Sequence, residues 1–526
     1  PAPSPIAAMT TVNVEKSAAI VPSDCSTSQW PVANTRQNAT NTRMVADIQA
    51  GPVGSFPAHI VAYNGRAYCQ ADDGIAGAEL WRSDGTPGGT SMVLDLAPGP
   101  EDGCALWGAK LGGQLWFVGF DGVQTRVYRT DGTAAGTAPE PFPVAGEDWI
   151  EPERLVTNQG QLFLADDPGW SSGRLWVTDG TPGGCVQILP AWPSLQPRSL
   201  RNLIAHPGGP GVLFSGRTVS LYGEAWVSDG TPAGTLRLTQ AFPSSSSIQF
   251  ESPVAVGGRV VFGGQAYTGG HEPYVTDGTV AGTKLLADLN PGPEDSDPEL
   301  DPRGSQGGIL YFTAEADATG RELYRTDGTP AGTWMVLDSV PGHGSSYVEV
   351  LGFAGGELVV EAYTSKVGHE PHVLRGGELT ALANLNPGTL GTYVTGAAPM
   401  GSELAFTAWR EGEERLVITD GTSTGTRALP TTAIRDPEPP LGTLPDGSAL
   451  LAGDPGTQGI ELMRTFGTVQ GTALVKELNA YLDAMVEVIK AHGGVVDKYI
   501  GDAIMVVYGV PHADGSEAAR ALRTAG

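Results

Sequence analysis

Residues 79–86 read ELWRSDGT, and near copies of this stretch return along the whole chain. The aspartate of the stretch, Asp84, is the reference for counting the copies. Six further copies keep an aspartate at the equivalent position, namely Asp131, Asp179, Asp229, Asp277, Asp327 and Asp420. Two decayed copies carry Arg375 and Phe466 there, and successive spacings run from 45 to 50 residues. Nine units in one register therefore account for nearly everything from about residue 53 to residue 478.

Each unit is expected to contain four short strands. In the first unit, residues 59–63 and 66–71 flank Asn64-Gly65, which is a strong hairpin signal. Residues 79–83 and 91–96 supply two more strands on either side of the Asp84-Gly85 turn. Four antiparallel strands in each unit, repeated many times, are typical of a β-propeller blade. The sequence therefore predicts an all-β fold, a single propeller of about nine four-stranded blades, or eight if a terminal unit does not join the ring.

Two positions of the repeat are predicted to have structural roles. The aspartate followed by glycine suits a turn in which the carboxylate accepts backbone N–H groups. An aromatic residue three positions earlier is expected to wedge between neighbouring blades, and it is Trp81, Tyr128, Trp176, Trp226, Tyr274 or Tyr324. The Glu79 position alternates between glutamate and arginine among the units, which indicates blade packing or solvent contact rather than catalysis.

One predicted strand lies before the nine units. Residues 42–48 read TRMVADI and are followed by Gly51-Pro52, like the fourth strand of a blade. We expect this strand to complete the last sheet, because that removes the exposed edge of the ring. The propeller then spans residues 42–478, and residues 1–41 form a polar leader that is predicted to be disordered.

The composition excludes several functional classes. The chain of 526 residues has 58 acidic and 31 basic residues and a formal net charge of −27, which excludes a basic surface for nucleic acid. No apolar run approaches the length of about 20 residues that crosses a bilayer. The charge favours partners with basic surfaces. The predicted places of contact are the loops that depart most from the repeat, residues 143–153, 192–201 and 242–249.

Cysteine and metal-binding patterns leave alternatives open. A disulfide between Cys69 and Cys104 is one alternative and free thiols are the other, because sequence does not set the geometry that a disulfide needs. Residues 295–301 carry acids at alternate positions, but they lack the glycine of a calcium loop, so a solvated loop between blades is favoured. His369 and His372 are not expected to bind zinc, since Pro371 forbids the helix that would align them.

The repeated phrase resembles the ELWxxDGT repeat family, which consists of bacterial proteins that are mostly secreted or attached to the cell surface. The resemblance covers about four-fifths of the chain, residues 42–478. It implies a propeller and an extracellular or cell-surface location, and it implies no defined reaction.

The end of the chain has a different character. Residues 492–511 read HGGVVDKYIGDAIMVVYGVP, which resembles the catalytic domain of class III adenylate and guanylate cyclases. The resemblance implies that Asp502 binds catalytic Mg²⁺ or Mn²⁺ and that Lys498 contacts the nucleotide base. It also implies a second metal-binding aspartate upstream, where this sequence has propeller repeat, and later residues that would fall beyond Gly526. Residues 479–526 are therefore expected to be a truncated fragment with a helix, a hairpin and a second helix.

The resulting hypothesis is a non-enzymatic β-propeller that binds a protein or polysaccharide at its rim and needs no cofactor. One alternative is a nucleotide cyclase with the propeller as its sensor, which requires the missing residues of the cyclase active site. The other is a hydrolase or lyase with an acidic channel, which a ring of inward carboxylates at the propeller axis would support.

Overall fold

The chain divides into two compact units, one made of Pro1–Asn34 and Thr468–Gly526 and the other of Thr35–Gly467. The computed structural model describes residues 9–12, 42–140, 152–166, 173–181, 183–188, 198–217, 223–242, 248–266, 269–338, 340–364, 368–385, 391–410, 413–429, 442–444, 448–456, 458–465, 494–500 and 503–508.

The larger unit is a β-propeller of nine four-stranded antiparallel sheets, which we call blades I to IX. First strands of neighbouring blades contact one another, for example Ala58–Tyr63 with Cys104–Leu111, and Pro152–Asn158 with Arg198–Ala205. These strands therefore lie nearest the axis of the ring. The prediction of an all-β propeller with nine blades is confirmed, and the alternative of eight blades is not needed.

Within each blade the strands follow one another across the sheet in chain order, except in blade IX. Blade I consists of Ala58–Tyr63, Arg66–Asp72, Ala78–Ser83 and Ser91–Leu94. Blade II consists of Cys104–Leu111, Gln114–Phe120, Thr125–Thr130 and Ala138–Pro139. Blade III consists of Pro152–Asn158, Gln161–Asp166, Arg174–Thr178 and Val186–Gln187. Blade IV consists of Arg198–Ala205, Val212–Arg217, Glu224–Ser228 and Leu236–Arg237. Blade V consists of Glu251–Val256, Arg259–Ala266, Gly270–Thr276 and Lys284–Leu285.

The second half of the ring repeats this arrangement. Blade VI consists of Ser305–Gln306, Ile309–Ala316, Gly320–Thr326 and Trp334–Leu337. Blade VII consists of Glu349–Ala354, Glu357–Thr364, Gly368–Arg375 and Glu378–Ala381. Blade VIII consists of Val394–Met400, Glu403–Arg410, Glu413–Thr419 and Arg427–Ala428. Blade IX combines Gly442–Thr443, Ala449–Gly453 and Glu461–Thr465 with Thr42–Ala46. Short 3-10 helices span Pro87–Gly89, Leu238–Ala241, Pro302–Gly304 and Pro330–Gly332.

Tight turns join the third and fourth strands. Oδ1 of Asp84 accepts hydrogen bonds from the backbone N–H and the Oγ1 hydroxyl of Thr86, at 3.0 and 2.6 Å. These bonds, the hydroxyl above all, hold the pKa of Asp84 below its usual range. The same two bonds recur at Asp131, Asp179, Asp229, Asp277, Asp327 and Asp420. A Cβ at Gly89 would lie 2.0 Å from Oδ1 of Asp84, so the folded turn accepts only glycine there.

A hydroxyl pair closes the same turn from below. Oγ of Ser83 lies 2.8 Å from Oγ1 of Thr90, the first residue after the 3-10 helix. Equivalent pairs at 2.7 to 2.8 Å occur in blades II, IV, V, VI and VIII. Blade III has Cys185 in place of the threonine opposite Thr178, so the pair is missing from that blade.

The repeated aromatic residue packs against the preceding blade. Trp176 of blade III is 2% exposed and packs with Trp116 and Val127 of blade II. Tyr324 of blade VI packs in the same way against Val254 of blade V. Buried equivalents are Tyr128, Trp226 and Tyr274. Trp81 is half-buried. The hydrophobic core is thus a series of clusters between neighbouring blades.

The glutamate of the repeat fastens the connection to the next blade. Glu79 is fully buried and accepts hydrogen bonds from the backbone N–H groups of Leu96 and Ala97, at 3.1 and 3.3 Å. Burial raises the pKa of Glu79 to about 7, although these hydrogen bonds oppose the shift. Glu272, Glu370 and Glu461 accept backbone N–H groups in the corresponding connections. This position therefore serves blade packing.

The ring closes through a strand from the beginning of the propeller. Thr42–Ala46 pairs antiparallel with Glu461–Thr465, the third strand of blade IX, as the sequence predicted. The carboxylate of Glu461 accepts hydrogen bonds from the hydroxyl of Ser55 at 2.6 Å and from the N–H of Ile48 at 3.1 Å. Both ends of the ring are therefore joined by a strand pair and by a buried carboxylate.

The smaller unit is described in three strands, Met9–Val12, Gly494–Ile500 and Ala503–Tyr508, which form one antiparallel sheet. The last two strands form a hairpin. Met9–Val12, from the predicted leader, pairs along the edge of Ala503–Tyr508. An open strand edge offers N–H and C=O groups to any neighbouring segment with strand-forming residues. Both predicted helices of the fragment lie outside the described residues.

Cys69 and Cys104 are buried free thiols, so the disulfide alternative is not formed. Over the ranges that the structure describes, no helix has the length and apolar character needed to cross a membrane.

Candidate ligand-binding cleft

A cleft of about 600 Å³ opens where the first strands of blades V to VIII begin. Four carboxylic acids line it, namely Glu299, Asp301, Glu349 and Glu361. Its other polar and aromatic lining residues include Arg303, Arg321, His369, Tyr347 and Tyr393. We call this region the acidic cleft.

Glu349 and Glu361 form a facing pair in blade VII. Glu349, on the first strand, lies directly opposite Glu361 on the second strand. Residues opposite each other in an antiparallel pair have side chains on the same face, and like charges in this arrangement repel each other. The two carboxylates therefore repel each other when both are ionised, and a proton or a cation between them would relieve this repulsion.

Glu361 forms the buried half of this pair. Glu361 is 6% exposed, and its carboxylate accepts a hydrogen bond from the N–H of Val394 at 3.1 Å. Burial raises the pKa of Glu361 to about 7, the bond from Val394 opposes this shift, and the charges of Glu349 and Glu370 add to it. Burial also raises the pKa of Glu349, against the opposing charge of Arg303. Glu361 therefore changes its protonation state near neutral pH.

His369 lies beside Glu361 without neutralising it. Nδ1 of His369 is 3.5 Å from Oε1 of Glu361, which is too long for a strong hydrogen bond. Burial lowers the pKa of His369, which favours its neutral form at pH 7. The negative charge of the facing pair thus remains open to a cation from outside.

Three tyrosines surround His369. The ring centroids of Tyr363, Tyr347 and Tyr393 lie 5.3, 6.0 and 6.1 Å from the imidazole centroid. Tyr347 and Tyr393 are each 65% exposed. Tyr347 also has a φ of 48°, a left-handed conformation that bulky residues rarely adopt. A strained, exposed aromatic residue beside carboxylates is a mark of a binding site.

The two arginines of the acidic cleft are already paired with other acids. Nε and Nη2 of Arg303 donate to Oδ2 of Asp301 at 2.9 and 2.7 Å. Nη1 of Arg321 lies 3.4 Å from Oε1 of Glu299 and donates to the carbonyl oxygen of Asp297 at 2.9 Å. No described side chain forms an ion pair with Glu349, so blade VII carries the excess of negative charge.

The acidic stretch 295–301 distributes its carboxylates among separate partners. Oδ1 of Asp295 accepts the N–H of His271 at 2.6 Å, and Oδ1 of Asp297 lies 3.0 Å from Nδ1 of the same histidine. Glu299 accepts the hydroxyl of Thr313 at 2.9 Å, and Asp301 caps the 3-10 helix Pro302–Gly304. Among the described residues, no group of three or more His, Cys, Asp and Glu side chains is placed to hold a metal ion.

The structure does not bring together the residues of the other sequence-based hypotheses. His369 lines the acidic cleft, whereas His372 is 2% exposed and its Nδ1 lies 2.7 Å from the carbonyl oxygen of Glu370. Lys498 lies on Gly494–Ile500, with Met505 as its strand partner, and Asp502 lies outside the described residues. Most of the three loops predicted as contact regions, residues 143–151, 192–197 and 243–247, also lie outside them.

Sequence reasoning missed the acidic cleft. Three of its carboxylates lie at or just before the beginnings of first strands and Glu361 lies on a second strand, parts of the repeat that the ELWRSDGT phrase does not include. An alignment of the units on strand pairing would have found Glu251, Glu299 and Glu349 in consecutive blades. That run of acids is the signal.

No family model matches the chain, and no curated protein matches it. Solved structures that resemble it include a puromycin hydrolase, with 16% identity, a TM-score of 0.38 and coverage of 78% of this chain and 60% of that one. The propeller domain of the trilobed protease from Pyrococcus furiosus has 11% identity, a TM-score of 0.32 and coverage of 72% and 98%. Prolyl oligopeptidase B from Galerina marginata has 11% identity, a TM-score of 0.38 and coverage of 67% and 55%.

These comparisons concern the propeller fold alone, and the chain spans about 60% of the puromycin hydrolase that it matches. The fold is shared with prolyl oligopeptidase-like peptidases. The comparisons neither confirm the resemblance to the ELWxxDGT family nor support the resemblance to cyclases. The comparisons contradict the expectation that the chain is not an enzyme, because the solved structures found include a puromycin hydrolase and prolyl oligopeptidases, although this likeness concerns the fold and assigns no activity to the chain. The fold therefore gives no ground for excluding catalysis.

Proposed function

We propose that this protein binds a positively charged segment of a protein partner in the acidic cleft. The observation that carries the proposal is the facing pair Glu349 and Glu361 beside the exposed rings of Tyr347 and Tyr393. A lysine or arginine side chain placed there would relieve the repulsion between the two carboxylates and contact the faces of the tyrosine rings.

The charge of the whole chain supports the same partner. A formal net charge of −27 attracts basic surfaces and accelerates their encounter with an acidic cleft. We propose an extracellular or cell-surface location for this encounter. The support for that location is the resemblance of the repeat to exported propeller proteins.

The test is the binding of fluorescein-labelled octalysine to the full-length protein, followed by fluorescence anisotropy. We expect Glu349→Gln to weaken binding about tenfold, because it removes the carboxylate that lacks an ion pair. The matched control is Glu378→Gln, which makes the same charge change on the exposed fourth strand of the same blade. Binding by the wild-type protein should weaken as salt is raised from 50 to 300 mM.

Equal affinities of the wild-type, Glu349→Gln and Glu378→Gln proteins for octalysine would overturn the proposal. Binding of an uncharged oligosaccharide at the acidic cleft would also overturn the proposal, in favour of a polysaccharide ligand. This outcome would be detected as a change in the fluorescence of Tyr347 and Tyr393 that does not depend on salt.

A further inference from the structure

Residues at one register position, on the first strand or just before it, change the sign of their charge in an ordered way around the ring. In each blade this residue pairs with one residue of the second strand. That partner lies fourteen positions before the residue that is equivalent to Asp84 in the same blade. The residues are Arg201, Glu251, Glu299 and Glu349 in blades IV to VII, and their opposing residues are Ser215, Gly263, Thr313 and Glu361. Arg154 occupies the same register position in blade III. We call the four residues of blades IV to VII the charged arc.

A second cavity lies at the positive end of the charged arc. Its volume is about 210 Å³, and its lining includes Arg201, Asn202, Ser215 and Arg217. Arg201 lies opposite Ser215, and Arg217 follows Ser215 by two residues, so all three side chains are on the same face of blade IV. Two exposed arginine residues in one cavity, with the hydroxyl of Ser215 in the same lining, are suited to a carboxylate or another oxyanion. We call this cavity the arginine pocket.

The arginine pocket adjoins the acidic cleft. Glu251 lines the arginine pocket, and the next residue, Ser252, lines the acidic cleft. Oε2 of Glu251 lies 3.5 Å from Nε2 of His271, whose Nδ1 lies 3.0 Å from Oδ1 of Asp297. His271 therefore connects blade V to the acidic stretch that forms the near wall of the acidic cleft. The two cavities follow one another along the beginnings of neighbouring first strands.

The third strands of blades V to VII place a histidine or an arginine near the charged arc in different ways. In blades V and VI, His271 and Arg321 lie 3.5 and 3.4 Å from Glu251 and Glu299 of the charged arc. In blade VII the equivalent residue, His369, lies beside Glu361 instead. Glu349 is thus the acid of the charged arc without a histidine or arginine neighbour on the third strand of its own blade. The strongest point for a cation and the pocket for an anion lie at opposite ends of the arc.

We propose that the arginine pocket and the acidic cleft form one site for a dipolar peptide, with an acidic group in the arginine pocket and a basic group between Glu349 and Glu361. This inference rests on the proposed function and adds the direction in which the peptide lies and a second requirement for its sequence. A purely basic peptide fills only half of the site, so charge order sets specificity.

The test uses three pairs of fluorescein-labelled peptides and the full-length protein. The dipolar peptides have three lysines and three glutamates separated by four, six or eight Gly/Ser residues, and the basic peptides have glutamine in place of each glutamate. We expect the best dipolar peptide to bind at least about fivefold more tightly than its basic counterpart. The double variant Arg201→Gln with Arg217→Gln should remove this gain while the basic peptide binds as before or more tightly.

The matched control for the double variant is Arg66→Gln with Arg259→Gln. Both arginines begin second strands, at the opposite end of the first-strand hairpin from the charged arc. This control should keep the preference for the dipolar peptide. If basic and dipolar peptides bind the wild-type protein equally, the inference is overturned and the proposed function stands. If neither peptide binds, or if binding ignores Glu349→Gln, the proposed function fails as well.

Discussion

Tyr347 combines backbone strain with exposure, which is an unfavourable choice for stability alone. Its φ of 48° places Cβ against its own backbone, and the ring is 65% exposed, so burial returns little of the cost. The ring does contact His369 and lines the acidic cleft. The conformation is explained if it holds the ring where a ligand meets it.

Replacing Tyr347 by glycine should separate stability from binding. We expect Tyr347→Gly to raise the free energy of unfolding by about 1 kcal/mol, because glycine adopts positive φ without strain, and to weaken octalysine binding several-fold. Urea denaturation and fluorescence anisotropy measure the two effects. Tyr393→Gly is the control, since Tyr393 has the same exposure without a positive φ. It should weaken binding with no gain in stability. A Tyr347→Gly protein that is less stable than the wild type would contradict the strain argument.

In blade III, Cys185 takes the place of the threonine that forms the hydroxyl pair in other blades. The variant Cys185→Thr should restore the bond to Thr178 that the equivalent threonines make at 2.7 to 2.8 Å in other blades. We expect a gain of about 1 kcal/mol in the free energy of unfolding. Cys185→Val, which has the shape of threonine without the hydroxyl, should show no such gain. Equal stability of the two variants would refute the role given to the hydroxyl pair.

Residues of the repeat could be singled out from the sequence, whereas residues of the acidic cleft could not. Asp84 and Trp176 recur with fixed neighbours because every blade needs the same turn and the same wedge, so their roles can be inferred from one chain. Tyr347 and Glu349 differ from their counterparts in other blades, and a search for similarity passes over them. Their meaning appears only when the ring brings four blades to one cleft.

At the level of the element, the hairpin of blade VII is predicted to weaken as the pH rises. The pKa of Glu361 is about 7 in the folded chain and about 4.3 in an unfolded one. A group whose pKa is raised by folding stabilises the protein at low pH, and that contribution is lost as the pH rises through 7. The open facing pair therefore favours folding at pH 5 over pH 8.

Glu361→Gln should remove this dependence for one group. We expect the free energy of unfolding of the variant, relative to that of the wild type, to increase by about 2 kcal/mol from pH 5 to pH 8. Urea denaturation at each pH measures this difference. Some loss with rising pH should remain in both proteins, since burial also raises the pKa of Glu79 to about 7. Glu378→Gln should follow the wild-type curve. A constant difference between Glu361→Gln and the wild type at all pH values would show that Glu361 does not titrate in this range.

For the whole molecule, the strand Thr42–Ala46 is predicted to decide whether the ring stays closed. Val45 is 1% exposed and packs with Leu444, Leu450 and Leu462 of blade IX. Removing residues 1–46 should lower the free energy of unfolding by at least about 3 kcal/mol and expose the edge of Glu461–Thr465, which promotes self-association. Removing residues 1–41 keeps the strand and is the control. Chemical denaturation and light scattering report the two effects, and a stable monomer without residues 1–46 would contradict this role.

Propeller architecture and ring closure could be predicted from the sequence because the same local pattern recurs in nine units. The order of charges around the axis could not, since it depends on strand pairing within blades and on which blades become neighbours. The pairing of Met9–Val12 with the hairpin of the smaller unit was also beyond sequence reasoning, because no repeat or turn signal links such distant segments.

Ring closure also has a consequence for biosynthesis. Ile48 and Glu461 are separated by 413 positions, so a ribosome that adds about 5 to 20 residues per second makes the first partner about 20 to 80 s before the second. During that interval eight blades can assemble in turn while the earliest strand waits without a neighbour. A nascent chain of this kind needs a chaperone, or slow pairing of its own, to keep that strand from joining another polypeptide.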